Sequence, residues 1–303
     1  MLVGVVGPGP EVLYRDNEIG HGATADEIVT SIEAEVRQAV AAQPGASAVG
    51  LGIPCTIDYE RGHAISAVNL PLEDVPIRDL LRERLGLPVV VDNDANLAAL
   101  AEQRYGAARD ARNALMLTLG TGIGGGVIID RRIYRGSTGA GAELGHVVVE
   151  AEGPPCQGNC PNRGCVETYA SGTALGREGR AAAEREPGSA LGRRLAAGEE
   201  IDGRAVTEAA LAGDDAARGV LARAGYYLGV ALSSLANVFE PDVIVIGGGV
   251  LAAGDLLLEP ARVELRARAL RPQNATPVAA AGLGPDAGMI GAATLALDGP
   301  VEG

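Results

Sequence analysis

The chain has 303 residues, of which 47% are hydrophobic, enough to bury a core in each of two domains of ordinary size. Its formal net charge of −14 argues against nucleic acids and membranes as partners, because phosphates and anionic lipids both need a basic face. All 25 basic residues are arginine, and the absence of lysine excludes a P-loop and a Schiff-base enzyme, since both depend on a lysine amine.

The cysteine pattern favours a reducing compartment. Three of the four cysteines lie close together, which is typical of a metal site rather than of a disulfide framework. No apolar run reaches membrane-spanning length, and no charged-then-apolar leader opens the sequence. We therefore expect a cytoplasmic protein. The remaining cysteine, Cys55, is expected to be a small buried hydrophobic residue.

The first third of the chain alternates strands with helices, as α/β proteins do. Thr24 and Glu27 have the spacing of a capping box, and apolar residues recur at helical spacing from Ile28 to Val40. Pro44 follows and cannot continue a helix. The predicted elements are a helix after Thr24, buried strands over 48–53 and 88–91, the polar run 92–94, and a helix over about 96–105.

A second unit is predicted to open after residue 110. The predicted domains are a smaller N-terminal one over 1–110 and a larger C-terminal one over 111–303, with the last helix packing back on the first domain. The predicted elements are a strand over 114–119, a glycine-rich turn over 120–126, a hairpin of strands 127–129 and 133–134, helices from 167 to 237 broken near 198–203, a strand over 242–246 before glycines 247–249, and a last strand and helix over 277–297.

One histidine and three cysteines lie within about twenty residues, and they supply the four soft ligands of a tetrahedral metal site. Glycines and prolines surround them, which suits a loop folded about a metal. Four protein ligands leave no open position, so a structural Zn²⁺ is favoured over a catalytic one. The predicted ligands are His146, Cys156, Cys160 and Cys165.

Asp94 follows a buried strand, and ligands of open α/β sheets bind beyond the carboxyl ends of strands. Its carboxylate is a candidate acceptor for a hydroxyl proton, with Asn93 as a donor to the same substrate; a cap for the next helix is the alternative. The glycine runs 120–126 and 247–249 are candidate phosphate nests, although a tight turn explains each of them equally well.

Several stretches together resemble the ROK family of sugar kinases and repressors, in the same order along the chain. They are Val91 to Asn96, Gly120 to Gly126, Gly141 to His146, Cys160 to Glu167 and Val243 to Gly249. The resemblance implies an α/β protein with the actin-like, ribonuclease-H-like two-domain ATPase fold and an active site in the interdomain cleft.

Residue roles follow from the same resemblance. Asp94 matches the general base that takes the proton of a sugar 6-hydroxyl as it attacks the γ-phosphate of ATP. His146 is expected to place one ring nitrogen on zinc and the other on the sugar. The family also implies Mg²⁺ bound with ATP, a hexose substrate and a homodimer. The matched sugar positions are Asn69, Asn93, Glu143, His146 and Glu167, and the matched nucleotide positions are Gly120, Thr121, Gly122, Gly124, Gly247, Gly248 and Gly249.

Two departures from the family pattern bear on activity. Cys156 and Cys160 are separated by three residues, where the family usually has one. The opening strand runs into the segment 7–10, which contains two prolines, and one strand with the Asp-Gly-Gly-Thr phosphate loop is missing. We expect this loss to leave a gap or an open edge in the sheet, either because the native protein begins upstream or because the chain is a degenerate member.

The sequence thus supports an ATP-dependent hexose kinase making glucose 6-phosphate, with a non-catalytic sugar binder as the alternative. A repressor is disfavoured, because the chain opens on a strand and not on a helix-turn-helix. The residues leave open whether glucose, mannose, fructose, allose or N-acetylmannosamine is preferred, and whether ATP or polyphosphate is the donor.

Overall fold

The computed structural model describes residues 1–17, 22–67 and 70–299. The chain divides into two compact units: one contains residues 1–110, 126–142 and 282–303, and the other contains 111–125 and 143–281. The segment 126–142, which the sequence analysis assigned to the C-terminal domain, therefore groups with the first unit. The fold is the actin-like two-domain fold expected from the sequence.

Regular elements over the first 110 residues alternate strand and helix after an initial hairpin. They are β1 (Leu2–Val6), β2 (Val12–Asn17), α1 (Ala25–Ala42), β3 (Val49–Ile53), β4 (Thr56–Asp58), β5 (His63–Ser66), β6 (Glu73–Val75), α2 (Ile77–Leu85), β7 (Val89–Asn93) and α3 (Asp94–Tyr105).

The remaining elements are mostly helical. They are β8 (Ala114–Leu119), β9 (Ile123–Ile129), β10 (Arg132–Ile133), α4 (Glu167–Ala170), α5 (Gly172–Arg185), α6 (Ala190–Ala196), α7 (Gly203–Leu211), α8 (Asp215–Phe239), β11 (Val243–Gly247), α9 (Asp255–Arg268), β12 (Val278–Ala280) and α10 (Ala287–Asp298). Within the described residues, no helix combines the length and the apolar character needed to cross a bilayer.

Helix α1 begins where the sequence predicted. The hydroxyl of Thr24 accepts the amide of Glu27 at 3.3 Å, and the Glu27 carboxylate accepts the amide of Thr24 at 3.2 Å, so the capping box is complete. Val29 and Ile32 face inward and pack against strands β3 and β7. The amphipathic pattern thus fixes both the start and the buried face of the helix.

The first unit contains two separate pairs of strands where a single sheet is expected. Strands β1 and β2 pair antiparallel, β3 and β7 pair parallel, and the two pairs belong to different sheets. A cavity of about 960 Å³ is lined by every residue of β1 and every residue of β3. The gap expected from the missing strand is therefore present in the fold.

Strands β4, β5 and β6 form a small antiparallel sheet that the sequence analysis did not predict. Two of the three strands have only three residues, too few to show an alternating pattern.

The second unit contains three parallel strands in the order β8-β11-β12. Helix α8 is its longest helix, and α9 packs along it at two glycines. A Cβ at Gly225 would lie 2.4 Å from the carbonyl oxygen of Leu257, and one at Gly229 would lie 2.5 Å from that of Ala261. Small residues at these positions therefore permit the close approach of the two helices.

The glycine-rich segment 120–126 is not a turn throughout, contrary to the prediction. Strand β9 begins at Ile123, so the turn is confined to Gly120–Gly122 and Gly124 lies within a strand. Gly126, in the first unit, is required by packing, because a Cβ there would lie 2.8 Å from the carbonyl oxygen of Ala95 and 2.6 Å from the Cβ of Ala99. Three of the glycines thus serve β9 and its packing.

A buried carboxylate holds the first and the last of the four places where the chain passes between the units. Glu102 is fully buried near the end of α3, and its oxygens accept the amides of Ala107 at 2.7 Å, Gly282 at 3.1 Å and Leu283 at 2.9 Å. The chain first leaves the first unit after residue 110 and returns to it for the last time at 282. Three backbone donors compensate the burial of this charge, since no cation pairs with it in the described part of the chain.

Candidate active site and metal centre

Asp94 lies at the carboxyl end of β7, as the first residue of α3. Its Oδ1 atom accepts the amide of Ala95 at 2.9 Å, and no cation pairs with the carboxylate among the described residues. The helix was expected to begin at about Asn96 but begins two residues earlier. A carboxylate at the first turn of a helix, beyond a buried strand, is well placed to meet a ligand.

The environment of Asp94 makes its carboxylate a stronger proton acceptor than an ordinary aspartate. The side chain is exposed on one side, but protein surrounds much of the carboxyl group. The resulting desolvation raises the pKa of Asp94 above its ordinary value, and the hydrogen bond from the Ala95 amide partly offsets this rise. The nearby Cys55 is buried, as predicted, and its pKa rises to about 12 through burial and the charge of Asp94. The thiol therefore stays protonated beside the carboxylate.

Asn93 is the N-cap of α3. Its Oδ1 accepts the amides of Ala95 at 2.9 Å and Asn96 at 3.3 Å, and its amide nitrogen donates to the carbonyl of Cys55 at 3.3 Å. The capping role foreseen as the alternative for this run therefore applies to Asn93, and only one of its N–H bonds remains for a substrate. Asn69, the other amide predicted to bind sugar, lies outside the described residues.

Asp92 has a structural role that its sequence pattern does not predict. It is 1% exposed, and its Oδ2 atom accepts two hydrogen bonds from Arg135, at 2.8 Å and 2.7 Å. Asn96 donates to its Oδ1 atom at 3.0 Å, and the guanidinium of Arg135 lies 3.8 Å from the ring centre of Tyr59. This buried pair fixes the junction of β7 and α3 on which Asp94 stands. The signal in the sequence was an aspartate at the end of an otherwise apolar strand.

The predicted metal ligands come together in the second unit. The ligand atoms of His146, Cys156, Cys160 and Cys165 all lie within 4.8 Å of one another. Cys160 Sγ and Cys165 Sγ are 3.9 Å apart, and Cys156 Sγ is 3.4 Å from His146 Nδ1. Sulfur ligands at about 2.3 Å from a tetrahedral zinc would be about 3.8 Å apart. The four side chains therefore have the spacing of a tetrahedral site.

The loop absorbs the unusual spacing of Cys156 and Cys160. The amide of Cys156 donates to the carbonyl of Asn162 at 2.9 Å, and that of Cys160 donates to Gln157 at 3.4 Å, so the extra residues form a turn within the loop. Burial raises the pKa of the Cys156 thiol, and the hydrogen bonds that this thiol donates to the sulfurs of Cys165 and Cys160 raise it further. A divalent cation bound between the sulfurs would instead favour the deprotonated form, because it stabilises thiolates.

The two ring nitrogens of His146 face different groups. Nδ1 points to the thiol of Cys156, and Nε2 lies 4.0 Å from the Oε2 atom of Glu143, which is exposed. A metal on Nδ1 would leave the proton on Nε2. The ring would then present a hydrogen-bond donor beside an exposed carboxylate, an arrangement suited to a polyol.

Glu167 links the metal loop to the glycine turn. It is the first residue of α4 and is 8% exposed, and its Oε2 atom accepts the amide of Ile123 at 2.7 Å. A Cβ at Gly122 would lie 2.4 Å from that oxygen, so glycine is required there. The Oε1 atom lies 3.9 Å from the sulfur of Cys156. The carboxylate therefore spans the distance between the metal cluster and the turn that follows β8.

The two glycine turns lie side by side at one edge of the parallel sheet. Gly247 pairs with Thr118 in the register of β11 and β8, and a Cβ at Gly248 would lie 2.3 Å from the carbonyl oxygen of Leu119. Gly248 has φ +88°, a conformation that other residues rarely adopt.

The first residues of α5 hydrogen-bond to the turn Gly120–Gly122. The amide of Gly172 donates to the carbonyl of Gly120 at 2.7 Å, and the hydroxyl of Thr173 donates to the carbonyl of Thr121 at 2.8 Å. The hydroxyl-bearing side chain of Thr121 is exposed. Two rigid backbone turns with adjacent glycines at the carboxyl ends of parallel strands form the kind of surface that receives phosphates.

Comparisons with known proteins agree with this architecture. The chain is 42% identical over 245 residues to a glucokinase of Halalkalibacterium halodurans, which covers 80% of this chain and 74% of the relative. A crystal structure of a ROK family glucokinase from Streptomyces griseus, in complex with glucose and AMPPNP, matches with a TM-score of 0.87 and 37% identity, over 98% of this chain and 96% of that one. The ROK hexokinase of Thermus thermophilus matches with a TM-score of 0.78 and 34% identity, over 98% and 94% of the two chains.

The family model described as ROK matches residues 4–299, nearly the whole sequence. Together with these relatives, that match shows that the chain belongs to the ROK family.

Proposed function

We propose that this chain is an ATP-dependent sugar kinase that transfers the γ-phosphoryl group of ATP to the 6-hydroxyl of glucose. The similar Streptomyces griseus glucokinase, crystallised with glucose and AMPPNP, supports the choice of both substrates. Within the chain itself, the observation that carries the proposal is Asp94, a carboxylate without a cationic partner among the described residues, at the end of a buried strand.

Asp94 is assigned as the general base. Its raised pKa makes the carboxylate a better proton acceptor than an ordinary aspartate. It would take the proton of the 6-hydroxyl while that oxygen attacks the γ-phosphorus. Because phosphoryl transfer needs positioning and charge stabilisation more than covalent catalysis, the fixed junction of β7 and α3 matters as much as the base.

Sugar recognition is assigned to the side chains near the metal loop. The Nε2–H group of His146 would donate to a sugar hydroxyl, while Glu143 and Glu167 would accept hydrogen bonds from others. Asn69 and the free N–H bond of Asn93 are the remaining candidates. Carboxylates and amides held by rigid elements discriminate hydroxyl positions well, because an unmatched buried polar group is costly.

The nucleotide is assigned to the two glycine turns. Thr121 and the backbone of Gly120–Gly122 would contact phosphate oxygens, and Gly247–Gly249 would lie near the adenosine, with Gly124 supporting the first turn from within β9. Mg²⁺ would accompany ATP and neutralise developing charge on the phosphates. Neither turn contains a carboxylate, so we assign the ion no protein ligand there.

We assign the four-residue cluster to a structural Zn²⁺. The supporting observation is the spacing of its sulfur and nitrogen atoms, close to that of a tetrahedral site, together with a donor set of three thiols and an imidazole. Bound there, zinc would fix the loop from Cys156 to Cys165 and the ring of His146. It has no open position and no catalytic step.

A second candidate function is sugar binding without turnover, and the turn between β1 and β2 favours it. The amide of Gly7 donates to the carbonyl of Glu11 at 2.9 Å, which closes the turn, and Pro8 and Pro10 have no N–H to offer a phosphate. A kinase lacking its first phosphate loop would bind sugar and transfer phosphate slowly or not at all.

The test is phosphorylation of glucose by ATP, measured as ADP release, alongside glucose binding measured by calorimetry. Mannose, fructose, allose and N-acetylmannosamine serve as competing substrates, and polyphosphate as a competing donor. Turnover that is fastest with glucose and ATP supports the proposal. Glucose binding without ADP release supports the second candidate, and neither binding nor turnover with any hexose contradicts both.

A further inference from the structure

The cavity in the first unit lies between two β-strands, where one further strand would fit. It is lined along one side by β1 and along the other by β3, with a volume of about 960 Å³. A five-residue strand with a rise of about 3.3 Å per residue, an interstrand spacing of about 4.8 Å and a sheet-packing distance of about 10 Å occupies about 800 Å³. The cavity therefore has the size of one such strand.

The two sides of the cavity are edges of β-sheets. Strand β1 pairs only with β2 and strand β3 only with β7 among the described residues, so each has one edge without a strand partner. Such an edge presents a row of backbone N–H and C=O groups spaced for another extended chain. A ligand that satisfies both rows at once must itself be an extended polypeptide, because a strand carries donors and acceptors along both of its edges.

The cavity also has two apolar faces, as the alternation of β7 demonstrates. Val89 and Val91 pack in the cluster that contains Ile32 of α1, whereas Val90 packs in the cluster that contains Ala292 of α10. Successive side chains of a strand point to opposite faces, so α1 and α10 cover opposite faces of this sheet. A strand buried between two helical layers is apolar on both faces, unlike a surface strand, which alternates.

The helix α10 also limits the size of the side chains that fit. The cavity is lined on this side by Ala292, Ala293 and Ala296, and by Met289, whose sulfur lies against Gly4 of β1. Asp94 borders one end of the cavity. The site therefore suits valine and alanine in its interior.

We infer that this cavity binds an extended, apolar peptide segment of about five residues, which inserts between β1 and β3 as a strand and joins the two pairs into one sheet. The inference does not depend on the proposed phosphoryl transfer, because sheet edges and apolar walls alone define the ligand. Recognition of this kind draws affinity from main-chain hydrogen bonds and specificity from the flanking side chains.

The probe is the synthetic peptide acetyl-Arg-Arg-Val-Ala-Val-Ala-Val-amide, in which the arginines provide solubility. Its matched control replaces the central valine by proline, which keeps the charge but removes one main-chain donor and disfavours a central strand. Hydrogen–deuterium exchange of the whole 303-residue chain is followed with each peptide, and affinities are measured by calorimetry.

The expected result is slowed exchange in both 2–6 and 49–53 with the valine peptide, and at least a tenfold weaker affinity for the proline peptide. The variant Ala293→Trp narrows the cavity and is expected to weaken the valine peptide by a similar factor. If that variant does not fold, the comparison of the two peptides still decides the matter.

Three outcomes would overturn the inference. Protection of one strand alone would mean that the peptide lies on a single edge, and equal affinity of the two peptides would mean that it does not pair as a strand. Protection of both strands that increases with protein concentration in the absence of peptide would assign the site to a second copy of the chain.

Discussion

The carboxylate of Glu167 accepts the backbone amide of Ile123 at 2.7 Å and thereby ties the metal loop to the turn after β8. The same oxygen leaves no room for a side chain at Gly122. In the proposed site, sugar recognition and phosphate binding therefore share one structural support.

Replacing Gly122 by alanine is expected to weaken ATP binding and turnover together, by at least tenfold, because the new Cβ would lie 2.4 Å from the Glu167 Oε2 atom and displace one of the two. Calorimetry with ATP and steady-state kinetics measure the effect. Gly219→Ala is the matched control, since nothing lies within 4 Å of a Cβ there and the change on the exposed face of α8 should raise helix stability slightly. Unchanged ATP affinity in Gly122→Ala would remove the turn from the nucleotide site.

The pH dependence of turnover is expected to report on Asp94. Desolvation raises its pKa, so the basic form is lost at a higher pH than for an ordinary aspartate, and kcat/KM should fall as the pH decreases through that raised value. Asp94→Asn should lower kcat by roughly 10²–10⁴-fold and remove this acid limb, while glucose binding persists. An acid limb that is unchanged in Asp94→Asn would assign the titration to another group.

Metal analysis is expected to find about one zinc per chain, and chelation should lower the melting temperature. Cys165→Ser should lose the metal, because the variant removes one of four ligands. Cys55→Ala is the control, since that buried thiol belongs to the first unit and not to the cluster. A zinc content well below one in the unsubstituted chain, or equal contents in the two variants, would contradict the assignment.

The buried pair of Asp92 and Arg135 is expected to matter more for stability than any exposed pair. Arg135→Ala leaves a carboxylate that is 1% exposed without its cation, which should cost about 3–5 kcal/mol in the free energy of unfolding. Denaturant unfolding measures the loss, with Arg204→Ala as the control.

In that control pair the Arg204 side chain is 85% exposed, so its bond to Glu208 should contribute little to the free energy of unfolding. Losses of similar size in the two variants would mean that the buried pair does not hold the junction of β7 and α3.

Local patterns in the sequence predicted the elements whose signals are local. The capping box at Thr24 predicted the start of α1, and the apolar run of 114–119 predicted the whole of β8. Both features depend only on residues that are close together in the sequence. The four metal ligands were also predicted from spacing alone, and they lie together in the structure.

What the sequence did not predict depends on contacts distant along the chain. Gly126 resembles a turn residue in the sequence, yet it is a strand residue whose small size is demanded by Ala95 and Ala99. The role of Asp92 depends on Arg135, which is 43 residues away. A single sequence contains no signal for such pairings, since only the fold brings these residues together.

The buried carboxylate of Glu102 has a consequence for how the protein opens. Its two oxygens hold Ala107, near the first of the four passages between the units, and residues 282–283, at the last of them. Releasing either segment leaves the buried carboxylate with fewer hydrogen bonds, which is costly while the carboxylate stays buried. The two segments are therefore expected to open together rather than one at a time. The two connecting segments thus form one cooperative unit of local unfolding, although 175 positions separate Ala107 from Gly282 in the numbering of the chain.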